Sequence, residues 1–252
     1  MKKKKISQSF QSWLLILVII AFLIIIAFLW IFQTKLSENS AIRLLELNIS
    51  DVHADITDAS DDNLLELTWQ IAEDINEHDT ITSEYLLDLT KSFDVTEISY
   101  INEKGIIVAS TYKDFINFDM SSGNQAEEFL VLLSGTKEYV QSYQPLSYDT
   151  SISRKYAGVI LERGGFVQVG YGAERFQKDI DKFVVGVTKN RHVGENGCII
   201  IVDEEWNIVS DRYENEGKNL AVTGIEVANI DVGEVFTEDV YGESCYCIYE
   251  EA

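Results

Sequence analysis

Residues 100–110, YINEKGIIVAS, read as strand, turn, strand. Apolar and β-branched residues flank Asn102-Glu103-Lys104-Gly105, and the glycine supplies the positive φ that a tight hairpin turn favours. Residues 201–211, IVDEEWNIVSD, align with this run without a gap. Asn102 meets Asp203, Glu103 meets Glu204, and Ile107-Val108 meets Ile208-Val209, with Trp206 opposite Gly105. Each copy opens a strand-rich block, so the pattern reads as a tandem duplication.

After the first hairpin, residues 112–124 are polar and aromatic and read as irregular. Gln125 to Leu133 reads as a short helix stopped by Ser134-Gly135. Three strands follow, Glu138–Tyr143, Lys155–Leu161 and Phe166–Tyr171, the last two joined by the turn Glu162-Arg163-Gly164-Gly165. Ala173 to Thr188 has a helical apolar face of Phe176, Ile180, Phe183, Val184 and Val187. The second strand-rich block starts after Gly194 and Gly197.

Ahead of the first hairpin the period is helical. Leu45, Ile49, Val52, Ile56, Ala59, Leu64, Leu67, Ile71 and Ile75 recur mostly at three- and four-residue steps over 36–77, with no Gly or Pro among them. Such a stripe must bury against its own domain, a second copy, or both. Ser83 to Ser92 is a further helix. Upstream lies residues 13–32, WLLILVIIAFLIIIAFLWIF, with no charge, Pro or Gly. At 1.5 Å per residue, about 20 such residues cross the roughly 30 Å hydrocarbon core. Trp13 and Trp30 stand near the headgroup levels, and Lys2 to Lys5 put the N-terminus in the cytoplasm by the positive-inside rule. The rival reading is a cleaved secretory signal, whose apolar core is about 7–15 residues and ends at small residues. This run is longer and is followed by QTKLSENS, which favours a retained anchor. Both readings export residues 33–252.

Charge is partitioned sharply. Residues 1–32 hold four of the 20 Lys+Arg and none of the 42 Asp+Glu, which leaves 16 against 42, a net −26, on the exported part. That surface repels phosphate backbones, so nucleic acid is excluded as a partner. Solubility explains the excess, and a cation-attracting surface is the sharper alternative. Three cysteines, Cys198, Cys245 and Cys247, are too few for a disulfide scaffold. Cys245 and Cys247 are two apart and would share a strand face, so they do not readily bond each other, while a bridge from Cys198 to either stays open.

An anchor, a long outside helix and two strand-rich blocks, each opening with an acidic-turn hairpin, resemble a double Cache sensor domain. These are extracytoplasmic tandem Per-Arnt-Sim-like (PAS-like) folds. Asn102, Gly105, Ile107, Val108 and Ser110 fit the family's (D/N)-x-x-G-x-I-(V/I)-x-S hairpin, from which the second copy departs at Trp206 and Asp211. More narrowly, DITDASDDNLL (55–65) and KYAGVILERGGFVQVGYGAERFQKDID (155–181) are similar to sensor regions of sporulation-type serine phosphatases of Gram-positive anaerobes. The resemblance implies an α+β chain: a transmembrane helix, a long membrane-distal-reaching helix, and two antiparallel-sheet PAS-like modules, the second incomplete. The expected segments are a cytoplasmic basic tail (1–12), the span (13–32), a helical segment (33–93), a membrane-distal module (94–172), a connecting helix (173–196) and a truncated membrane-proximal module (197–252). A complete second module would carry about two more strands and a second span, so the chain is expected to be a fragment of a longer receptor, with any effector enzyme outside it.

In the family the distal module binds a small molecule between its sheet and the irregular cover. The expected ligand-binding residues are Tyr112, Phe115 and Asp119 from the cover and Tyr143, Tyr156, Gln168 and Tyr171 from the strands, with Arg154 at the rim beside Tyr148. Phe118 and Phe166 are further wall candidates. Aromatics give walls and cation–π contacts, and Asp119 would balance a cationic ligand. The bland reading of each is core packing for a strand aromatic and solvation for a loop Asp. Amino-acid-sensing members carry an Arg-x-Trp-Tyr type motif; Arg154-Lys155-Tyr156-Ala157 keeps an Arg and a Tyr without the Trp. For chemistry there is little: His53, His78 and His192 are the only histidines, and no Ser-His-Asp order, phosphate-cradling loop or metal spacing is present. No catalytic residue, metal or cofactor is expected. The expected function is an extracellular small-molecule sensor signalling through the membrane as a homodimer, with the dimer contact at Val52 and Ile56. A membrane-anchored binding or adhesion protein is the alternative.

Overall fold

The computed structural model describes residues 2–194 and 196–251. Met1, Glu195 and Ala252 fall outside them, and with them one end of the basic tail, a point in the connecting segment and the last residue of the second module. The helix α1 runs from Lys2 to Glu77 without interruption, as a stretch lacking Gly and Pro allows. It is the one helix among the described residues long and apolar enough to cross a membrane, and none of its apolar window is buried.

By contacts the chain divides into two units. One holds Val52–Arg191 and Cys198–Lys218; the other holds the described residues of Met1–Asp51, His192–Gly197 and Asn219–Ala252. The first contains a five-stranded antiparallel sheet of β1 (Glu97–Ile101), β2 (Ile107–Ser110), β3 (Glu138–Pro145), β4 (Ser153–Ile160) and β5 (Phe166–Tyr171), in the order β2-β1-β5-β4-β3. Every neighbour is antiparallel, as expected of the first block.

Alternation gives the sheet two faces. Against one lie α1 and α2 (Ser83–Phe93), with Leu64, Ile71, Ala72 and Ile75 of α1 and Leu86 and Leu89 of α2 buried on Ile98, Ala157, Val159, Val167, Val169 and Tyr171. The spacing 64, 71, 72, 75 is one helical stripe, and its burial is what fixes α1 on this face. Thr82 caps α2 by accepting from the Tyr85 amide at 3.2 Å. The other face carries a cover, in which Phe129, Leu132, Met120 and Leu146 bury Ile101, Ile107, Tyr156 and Phe166. The expected helix at 125–133 is instead a short α3 (Asn124–Glu127) followed by a 3-10 turn, Glu128–Ser134. Three residues per turn bring Phe129 and Leu132 onto one line, and both press on Gly158, where a built Cβ would come within 2.9 Å of each.

The two hairpins share one turn. Asn102 Oδ1 accepts from the amides of Lys104 (2.9 Å) and Ile106 (3.1 Å), and Asp203 Oδ1 from those of Glu205 (3.0 Å) and Asn207 (2.7 Å). Gly105 has φ +75° and Trp206 φ +63°, so the tryptophan adopts the left-handed backbone that glycine supplies in the first copy. The second hairpin, β6 (Ile201–Val202) with β7 (Ile208–Ser210), groups with the first unit. Its Ser210 hydroxyl bonds Thr188 at 2.6 Å on α4 (Ala173–Asn190). The strands β8 (Val235–Val240) and β9 (Glu243–Ile248) form a separate two-stranded sheet in the other unit. Residues 197–252 are therefore divided between the units rather than joined in one sheet. Cys245 is a free thiol whose sulfur donates to the Glu243 carbonyl at 3.3 Å.

Candidate functional site

On the cover face β1 offers Glu97, Ser99 and Ile101, β5 offers Phe166, Gln168 and Gly170, and β4 offers Arg154, Tyr156 and Gly158. The register joins them: Glu97 opposes Gly170, which opposes Tyr156, while Ser99 opposes Gln168, which opposes Gly158. Gly170 is the reason Glu97 and Tyr156 can meet. A Cβ built there would lie 2.6 Å from the Tyr156 ring and 2.8 Å from Glu97 Cγ, so the two side chains close over the strand in the space a side chain would take.

The Tyr156 hydroxyl donates to Glu97 Oε1 at 2.8 Å, and Arg154 Nε stands 3.8 Å from Oε2. Only 4% of Glu97 is exposed. Burial raises its pKa above the ordinary carboxylate value, against the lowering effects of the Tyr156 hydrogen bond and the Arg154 charge. Burial, then the neighbouring Glu97 charge, pushes the Tyr156 hydroxyl well above the usual tyrosine range. Arg154 Nε is buried and, among the described residues, donates no hydrogen bond; one of its terminal nitrogens donates to the Ser153 carbonyl at 3.0 Å. A buried guanidinium edge beside a buried carboxylate can direct a small polar group, since groups left unpaired out of water are costly.

The cover supplies an aromatic rim. Phe115 stacks on Tyr112 (centroids 5.6 Å) and meets Tyr148 edge-on (5.5 Å). Partial burial and then the charge of Glu97 raise the Tyr148 pKa above the ordinary tyrosine value. Beneath the rim Ser99 and Ser110 join hydroxyls at 2.9 Å, and Ser110 Oγ accepts from the Tyr112 amide at 3.0 Å.

Of the sequence-derived candidates, the structure brings Arg154, Tyr156, Gln168, Tyr112 and Phe115 to this face, with Tyr148. Asp119 is exposed and caps a 3-10 turn, accepting from the Ser121 amide (2.9 Å) and hydroxyl (2.7 Å); the serine bonds lower its pKa. Tyr143 and Tyr171 lie on the opposite face. Tyr143 stacks on Phe176 of α4 at 4.2 Å, and Tyr171 is fully buried beneath Arg175 (4.8 Å to the ring centroid), its hydroxyl accepting from Asn63 at 3.3 Å. For Tyr171 the cause is parity with Val167 and Val169; for Tyr143 it is the irregularity in the β3–β4 register between Gln141 and Gln144. Glu97 was not singled out from the sequence. Its signal was an acidic residue in strand alternation with Ile98 and Tyr100, and a glycine within FVQVGY that marks a close approach.

Glu97 gives a pH prediction. Its proton is held more tightly in the folded chain than in the unfolded one, so its contribution to stability is greatest below the unfolded value of roughly 4.3 and is lost as pH rises through the folded value. The melting temperature of Glu97→Gln, measured from pH 4 upward, should therefore gain on that of the wild type as pH rises. A melting-temperature difference, variant minus wild type, that stays constant or falls as pH rises would mean that burial does not raise the Glu97 pKa.

No protein-family model matches the sequence, and no curated protein matches it either. Among solved structures the chain is similar to the sensory domain of the Campylobacter jejuni chemoreceptor Tlp3 with isoleucine bound, at 13% identity and TM-score 0.40, covering 84% of this chain and 87% of that one. It is also similar to the sensor domain of the V. cholerae histidine kinase DctB, at 16% identity and TM-score 0.32, covering 69% of this chain and 65% of that one. A third is an extracellular ligand binding receptor from Desulfohalobium retbaense, at 18% identity and TM-score 0.34, covering 71% of this chain. This chain spans 32% of the length of that receptor. The first two are described as sensory or sensor domains and the third as an extracellular ligand binding receptor.

Proposed function

We propose that this chain is the extracytoplasmic small-molecule sensor region of a transmembrane signalling receptor of Cache type, with the ligand received on the cover face of the PAS-like sheet. The observation that carries the reading is the buried Glu97–Arg154 pair, whose Arg154 Nε makes no hydrogen bond among the described residues, together with the aromatic cluster of Tyr112, Phe115 and Tyr148 on the cover. Residues 13–32 serve as the span, with the Lys2–Lys5 end cytoplasmic and residues 33 onward outside. The distal module is 94–172, the connecting helix 173–196, and 197–252 begins the proximal module. The segment works by binding rather than by catalysis.

A thermal-shift screen of the full chain in nanodiscs against small amines, carboxylates and nucleosides tests the site. At least one class should raise the melting temperature of the wild type and fail to do so for Arg154→Ala and Glu97→Gln. No stabilisation by any class would favour an anchored adhesion protein, and stabilisation retained in both variants would move the site elsewhere.

We also propose a homodimer through α1. Val52, expected at that contact, is only 9% exposed within the single chain, whereas Leu36, Leu44 and Leu47 are exposed. In a background free of the native cysteines, Leu47→Cys should crosslink in membranes and Val52→Cys should not; the reverse pattern would overturn this interface.

A further inference from the structure

Strand β4 carries cations on two successive residues, and alternation turns them to opposite faces of the sheet. Arg154 faces Glu97 on the cover side. Lys155 faces α1: its ammonium lies 2.9 Å from Ser60 Oγ, pairs with the Asp61 carboxylate and sits 5.6 Å from the centroid of the Phe176 ring. Only 2% of Lys155 is exposed. An ammonium buried to that degree needs its partners, so this turn of α1 is tied to β4 by charge and not only packed on it.

A second tie holds the same turn. Asn63 donates to Asp179 Oδ2 of α4 at 2.6 Å, and Asp179, fully buried, is paired by Arg175. The α4 tie leads away from the ligand face, whereas the Lys155 tie begins one residue from it. The ladder beside it is also irregular. Gln141 opposes Tyr156 but Gln144 opposes Arg154, so β3 carries an extra residue opposite the Arg154–Tyr156 stretch. A bulge interrupts the regular pairing with β3 there and bends the strand locally. Between Arg154 and Lys155 stands one planar peptide, so a displacement of the first reorients the second.

We propose that β4 acts as a two-sided lever, in which a change at the Glu97–Arg154 face alters, through Lys155, how tightly α1 is held at Ser60 and Asp61. The lever rests on the reading of that face as the ligand site, and it makes Lys155 a positioning residue that touches no ligand. The helix it holds is the one that begins as the apolar run.

Removal of the Glu97 charge stands in for a change at the face, so no ligand is required. Amide hydrogen exchange is measured on the full chain in nanodiscs for wild type, Glu97→Gln, Lys155→Met and the double variant. Glu97→Gln should change exchange across residues 58–64 of α1 by about fivefold or more, a coupling of ordinary allosteric size. The change should vanish in the Lys155→Met background. Residues 83–93 of α2, on the same sheet face, should stay unchanged, which a mere loosening of the fold would not allow. If Lys155→Met loses its native circular dichroism, Ser60→Ala replaces it, with the same expectation at reduced size. An undiminished Glu97→Gln effect without the Lys155 tie, no effect at all, or an equal effect in α2 would each overturn the lever. A ligand screen without a hit leaves this measurement intact, and loss of the lever leaves the ligand site standing, so the two failures are separable.

Discussion

Asp61→Ala should destabilise the sheet-bearing unit by about 1.5 to 3 kcal/mol, the range for a hydrogen bond to a charged group, because the carboxylate that is removed is itself partly exposed. The expectation comes from unequal burial: the Lys155 side chain is 3% exposed and that of Asp61 35%. Without Asp61 the ammonium keeps Ser60 Oγ and the Phe176 ring but has lost its countercharge while its own side chain stays largely covered. The converse substitution is milder. Lys155→Met leaves a carboxylate that turns to solvent, and it puts an apolar chain of similar volume beside Phe176, an exchange that is often neutral. Urea unfolding followed by circular dichroism should therefore rank Asp61→Ala well below Lys155→Met. Equal losses, or the opposite order, would mean that Lys155 is not a buried charge.

The second large effect is expected at Phe129. Its side chain is fully buried, meets Tyr139 edge-on with centroids 5.1 Å apart, and meets Tyr156 in the same way at 6.4 Å. Phe129→Ala should cost about 3 to 5 kcal/mol, from lost transfer free energy and from the cavity left against Gly158. The ring also backs Tyr156, whose hydroxyl donates to Glu97, so the proposed ligand face should loosen with the core. Phe129→Leu fills most of the space and should retain most of the stability. An alanine variant as stable as the leucine one in the same urea series would show that the cover is not packed through this residue.

The local features were set by local chemistry. The absence of Gly and Pro before residue 105 permits one unbroken α1, and the apolar composition of 13–32 makes part of it a candidate span. The limits of β5 follow from two-residue alternation and turn residues, as do those of β1 and β2 to within a residue. Even the second hairpin was legible against its mismatch, because Asp203 organises the turn as Asn102 does and Trp206 accepts the left-handed backbone.

The proposed ligand face was less legible, because it depends on register between strands far apart in sequence. Arg154 and Tyr156 were identified by type, but their carboxylate partner Glu97 lies 57 and 59 residues away and meets them only across Gly170. Tyr143 and Tyr171 share the chemistry of Tyr156, yet strand parity and a bulge turn them to the helix side. Asp119 has the charge expected of a ligand partner, and the short turn it caps draws that charge to Ser121. The sequence by itself determined most of the helices and strands, though not the 3-10 turn Glu128–Ser134, since period and turn chemistry act over a few residues. Only the tertiary structure decided which charges lose water and which partners they find, since burial and pairing are properties of packed faces.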